Sequence, residues 1–109
     1  MISVKIRRNA EGYVYGYTVE GHADASVVCP SVSLLAINTA NSIHALTDEP
    51  IDYDHDSKKG GFLQVDLSRV KDGHKNKDAN LLLESLILGL QSVKDKYGSE
   101  IEIEDDNHG

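Results

Sequence analysis

A cysteine, a nearby histidine and a serine one helical turn further on hold the reactive chemistry of this sequence. Cys29 is the only cysteine among 109 residues. His22 precedes it in the stretch EGHADASVVCPSVSLL, and Ser33 follows it. Pro30 comes directly after the cysteine, and an apolar, helical-looking run begins there. Proline suits the first position of a helix, where its missing N–H costs nothing. That puts Cys29 at or beside the N-cap. A thiol there faces the positive end of the helix dipole and N–H groups with no partner inside the helix. Both favour the thiolate, which is the nucleophilic form. An imidazole within reach is a base, so the pair has the outline of a Cys-His nucleophile. The residues between them can span ~20 Å at ~3.3 Å each, enough for the two side chains to meet. Each residue also has a plainer reading. A lone cysteine is often a small core residue, a histidine at a strand end can bond a carbonyl, and Ser33 can bond back to its own helix.

The elements that must position these residues follow from hydrophobic period. Ile2, Val4 and Ile6 alternate with polar residues, as in a strand. Ala10-Glu11-Gly12 reads as a turn. Tyr13, Tyr15, Tyr17 and Val19 then alternate along a second strand, giving a hairpin that ends at Gly21. From Ser31 to Leu46 the apolar positions Val32, Leu35, Ala36, Ala40 and Ile43, with Thr39, recur at helical steps, and Thr47-Asp48-Glu49-Pro50 closes the helix. Ile51 to Tyr53 reads as a short strand and 54–61 as a polar turn. Phe62 to Leu67 is a further strand, and 71–77 a charged loop. A second helix starts at Asp78. Its inward face is Leu82, Leu86, Leu90 and Val93, and Gly98 stands at its C-cap. Ile101 and Ile103 make a last short strand. The order β-β-α-β-β-α-β defines an α+β fold, a mostly antiparallel sheet with two helices packed on one face. It occupies residues 1–104 as a single domain, with 105–109 as a disordered acidic tail.

Composition narrows the chemistry further. The chain is 39% hydrophobic, ordinary for one globular domain. It has no apolar run long enough to cross a membrane. No apolar block follows Arg7-Arg8, so the opening residues do not read as a signal peptide. A single cysteine allows no internal disulfide and fits a reducing, cytoplasmic setting. The net charge of −7 disfavours direct contact with nucleic acid, which needs a basic face. It suits a basic protein or peptide instead.

Two motifs carry a resemblance to a known family. Gly21-His22-Ala23 after a hairpin, and Val27-Val28-Cys29 with Ser33 opening a helix, resemble the bacterial ribosomal-processing cysteine protease family, Prp. The likeness extends along nearly the whole chain, from the Met1-Ile2-x-Val4 strand to the leucine-rich helix ending near Tyr97. It implies that Cys29 is the catalytic cysteine and His22 the catalytic histidine, with Gly21 and Ser33 in support. It also implies a homodimer that removes the N-terminal extension of a large-subunit ribosomal protein, a basic substrate, with no cofactor or metal. The sequence departs from the family in three places. The loop between the motifs is shorter than usual. Ser26 stands where an aspartate is common, leaving Asp24 as the carboxylate available to take its place. Pro30 replaces the small residue usual after the cysteine.

The remaining polar residues are less specific. Asp52, Asp54, His55 and Asp56 could suggest a metal, but they lack the calcium-loop pattern and read as a solvated hairpin turn. His44, His74 and His108 have no partner at ligand spacing. The tyrosine row Tyr13, Tyr15 and Tyr17 reads as one strand face that is core, dimer contact or peptide-binding wall. Against the peptidase stands a rival, a non-catalytic ribosome-associated binding module with the same fold.

Overall fold

A computed structural model describes residues 1–23, 27–55 and 61–105. Its centre is β1 (Ile2–Arg8), flanked by antiparallel β2 (Val14–Gly21) and parallel β5 (Ile101–Asp105). Outward from β2 lie β4 (Phe62–Asp66) and then β3 (Asp52–His55), both antiparallel to their neighbours. The sheet order is β3-β4-β2-β1-β5. Ile2, Val4 and Ile6 of β1 are all buried, as their alternation predicts. The β1–β2 turn is held by Asn9, whose side-chain oxygen accepts from the N–H groups of Glu11 and Tyr13 at 2.9 and 3.1 Å.

Two long helices cover the sheet face that Ile2, Val4 and Ile6 line. Helix α1 (Val28–Leu46) turns Val28, Val32, Ala36, Thr39, Ala40 and Ile43 inward. It begins earlier than Pro30 suggests. Proline is the third helical residue, where its N–H would still lack an intrahelical partner. A short helix α2 (Ser68–Lys71), absent from the sequence reading, links β4 to the loop before α3 (Lys77–Tyr97). Asn76 caps α3 by accepting from the Ala79 N–H at 3.0 Å. The inward stripe of α3 is Ala79, Leu83, Leu86, Ile87 and Leu90. Leu82 and Val93 lie at its margin, half-buried. The helices approach closely because Gly89 has no Cβ; one built there would lie 3.2 Å from a Leu35 methyl carbon.

Three further expectations need correction. The tyrosines do not share a face. A bulge between Arg7 and Arg8 shifts the β2 register, so Val14 and Tyr17 fill the core while Tyr13 and Tyr15 stay half-buried. Asp54 and His55 belong to strand β3, because β4 extends the pairing to His55↔Leu63. Asp105 belongs to β5 rather than to a frayed tail. Arg8 holds it with bonds of 2.8 and 3.0 Å and also grips Glu84 of α3 at 2.8 and 3.0 Å. These carboxylates, Glu84 first, push the Arg8 pKa above its already high ordinary value. Residues 106–109 lie outside the described residues.

Candidate active site

The site forms where the first turn of α1 meets the end of β2. Cys29 is the second residue of α1, with Val27 at the N-cap making no side-chain capping bond. The first helical bond there runs from the Ser31 N–H to the Val27 carbonyl at 3.1 Å. The thiol thus sits inside the first turn, still at the positive end of the dipole. Its sulfur is half-buried and accepts the Ala23 N–H at 3.2 Å, with the Ala23 carbonyl 3.9 Å away. Ala23 thus offers the sulfur both a donor and, farther off, an acceptor.

Gly21-His22-Ala23 is the other half. Gly21 has a φ of +100°, and a Cβ there would collide with the Met1 carbonyl. Only glycine makes this turn without strain. The chain then presents His22 at the surface and brings Ala23 to the sulfur. The His22 carbonyl accepts from the Met1 amino group at 2.6 Å. Gly61, at a φ of +64°, supports the imidazole from below. A Cβ at Gly61 would lie 2.9 Å from His22 Cε1 and 3.0 Å from Nε2. The Gly21 N–H bonds the Gly61 carbonyl at 2.8 Å, which ties the two strand ends together.

Cys29 and His22 open on one cavity of about 380 Å³. One wall is α1, with Val32, Ser33, Ala36 and Ile37 beyond the cysteine. The floor is Val19, Phe62 and Leu63, and the far wall is Tyr53 and His55 of β3. Under the floor Tyr17 is fully buried and donates its hydroxyl to the Ala36 carbonyl at 2.7 Å. Burial, with the nearby Tyr53, pushes its phenol well above the usual range.

The structure therefore brings together Gly21, His22, Cys29 and Ser33 from the sequence reading. Ser33 faces the cavity, whereas Ser31 and Thr39 are the α1 hydroxyls that bond back to helix carbonyls. Asp24 and the rest of the connecting loop, 24–26, lie outside the described residues. Tyr53, His55, Gly61 and Phe62 also line the cavity, and the sequence reading does not single them out as site residues. The alternation of Tyr53 and His55 is a strand signal that the surrounding aspartates disguised as a turn. Among the described residues no group of three or more acidic, histidine or cysteine side chains could hold a metal ion. No helix among them is long and apolar enough to cross a membrane.

The domain is thus a mostly antiparallel sheet with a helical covering on one face, and it brings a thiol in the first turn of a helix and a histidine at a strand end onto one cavity. The chain belongs to the cysteine protease Prp family, whose model matches residues 1–102. It is similar to the ribosomal processing cysteine protease Prp of Staphylococcus aureus, at 31% identity over 94% of this chain and 97% of that protein. Two crystal structures of the S. aureus ribosomal processing protease share the fold. The complex with a covalently linked product peptide has a TM-score of 0.87 at 29% identity, covering 97% of this chain and 100% of that one. The complex with a substrate peptide has a TM-score of 0.85 at 28% identity over the same shares.

Proposed function

We propose that the protein is a cytoplasmic cysteine endopeptidase that removes the N-terminal extension of a large-subunit ribosomal protein, with Cys29 and His22 as its dyad. One observation carries this reading: the Cys29 sulfur in the first turn of α1 accepts the Ala23 N–H and shares a cavity with His22. His22 takes the thiol proton, and the thiolate adds to the scissile carbonyl. The tetrahedral intermediate collapses to a thioester as His22 gives its proton to the leaving amine. Water, deprotonated by His22, then adds to the thioester and releases the acid and the thiol. N–H groups of the first α1 turn, Cys29 included, are the donors available to the oxyanion, because Pro30 supplies none. Gly21 sets the turn that presents His22, and Ser33 lines the path of the substrate. Asp24 is the carboxylate proposed to orient His22. The relatives' described activity, the acidic chain and the apolar cavity all suit a basic ribosomal protein that offers an extended segment. Exposed Leu34, Leu81 and Leu88 offer the helical layer to a second copy, in keeping with a homodimer.

The test is incubation with the extended ribosomal protein of the same cell, followed by intact mass. One cleavage is expected, with none in Cys29→Ala or Cys29→Ser and most activity lost in His22→Ala. Near-normal cleavage by either cysteine variant would refute the nucleophile. A binding module would instead leave the substrate whole, and its Cys29 would react with iodoacetamide as an ordinary thiol with a pKa near ~8.5.

A further inference from the structure

The register of the sheet decides which main-chain groups of β3 are open. The Leu67 N–H bonds the Tyr15 carbonyl at 2.7 Å, and the Gly21 N–H bonds the Gly61 carbonyl at 2.8 Å. Both contacts lie on the β2–β4 ladder, in line with its pairs Tyr17↔Val65 and Val19↔Leu63. In an antiparallel strand, alternate residues bond to opposite sides. The odd-numbered residues of β4 therefore face β2, and Gln64 and Asp66 face β3. Their partners are Asp54 and Asp52. The N–H and C=O groups of Tyr53 and His55 consequently point away from β4, and no further strand pairs with β3 among the described residues.

These are the two β3 residues whose side chains line the cavity with Cys29. Their rings lie 5.5 Å apart, tilted at 54°. An edge with open main-chain groups invites a partner strand. A second copy of this chain fits poorly, because pairing two β3 edges brings Asp52 and Asp54 of one against those of the other. An extended peptide with basic side chains reverses that sign. Taking the peptidase reading as given, we propose that β3 binds its substrate by strand addition. The main chain of Tyr53 and His55 holds an extended basic segment, Asp52 and Asp54 select its charge, and the segment's neighbour enters the cavity at Cys29.

The experiment is an N-methyl scan of a synthetic peptide spanning the processing site, read as kcat/KM on the full chain. Methylation removes one amide donor at a time. Strand addition predicts at least a tenfold loss at every second amide outside the scissile bond and little change at those between. Equal losses at successive amides, or none, would overturn it. His55→Pro supplies a second readout, because it removes an outward N–H and no ladder bond to β4. KM should rise at least fivefold over His55→Ala at unchanged kcat. Equal KM values would overturn the proposal, and a change only in sedimentation would overturn it and assign the edge to a second copy. Should His55→Pro fail to fold, the peptide scan decides alone. Cys29 alkylation in the same samples keeps the readings apart. A reactive thiol with a flat scan sinks strand addition only, whereas an ordinary thiol sinks the peptidase.

Discussion

At Gly61 two constraints act on one residue. Its φ of +64° disfavours any side chain with a Cβ, and a Cβ there would also meet the Gly21 carbonyl at 2.7 Å and the His22 ring at 2.9 Å. The carbonyl is main chain of the residue whose N–H makes the strand-end tie, and it cannot move cheaply, so the imidazole must give way. Gly61→Ala should cost ~1–2 kcal/mol of stability from the left-handed backbone alone. Its larger effect should fall on the reaction, with kcat/KM down at least tenfold as the base leaves its position. Cys29 alkylation at a pH where the thiol is already ionised should be unchanged, because the atoms nearest a Cβ at Gly61 belong to Gly21 and His22. Wild-type kcat/KM in this variant would mean that His22 does not need this support. The motif residues were legible in sequence because their types announce chemistry. Gly61 was not, because a glycine in a polar turn gives no sign of which distant side chain rests on it.

At the scale of elements, helix α1 joins the reactive turn to the core. Its inward face was legible from its apolar steps, and so were β1 and the existence of α3. The start of α1 was misplaced because Pro30 is tolerated throughout the first turn, not only at its first position. The tyrosine row misled for a different reason: a bulge changes the phase of alternation, and the one residue type there that signals it is Gly16, set between Tyr15 and Tyr17. Tyr17 shows what the phase change achieves. Its ring is fully buried under the cavity and its hydroxyl bonds the α1 backbone at Ala36. Burial raises the folded-state pKa above the ordinary value of 10. The sign follows from linkage. Below pH ~10 the phenol is neutral in both states and its contribution is fully present; above that value the unfolded chain releases the proton more readily, so stability falls as pH rises toward the folded value. Urea midpoints from pH 8 to 11 should decline for the native chain. Tyr17→Phe should start ~1 kcal/mol lower for the lost hydrogen bond and decline less steeply. Parallel declines in the two proteins would show that another group governs the alkaline limb.

For the whole molecule, the cavity and the strand that closes the sheet lie at different places, and this separates stability from activity. The sheet places β3 and β4 beside the cavity, while β5 pairs with β1 on the other edge. There Arg8, with only 9% of its side chain exposed, bridges Glu84 of α3 and Asp105 of β5. The sequence shows only a charged pair, Arg7-Arg8, and an acidic end; that one arginine turns inward follows from the β1–β2 bulge and the parallel pairing of β5, both long-range facts. Arg7 instead lies across Gly16, bonding Thr18 and Asp66 at 2.6 and 2.8 Å. Arg8→Ala removes the cation that bridges the two carboxylates. Glu84 is 40% exposed, so water screens part of that cost, and the expected loss is ~1–3 kcal/mol for charge-assisted bonds of this kind. Neutralising the partners, as Glu84→Gln with Asp105→Asn, should recover part of it by removing their charges. None of these residues borders the cavity, so kcat/KM per folded molecule should match the native chain at temperatures well below the transition. A fall in kcat/KM with the fold intact would mean that the β5 edge and the cavity are coupled through β1, whose first residue, Ile2, lines that cavity.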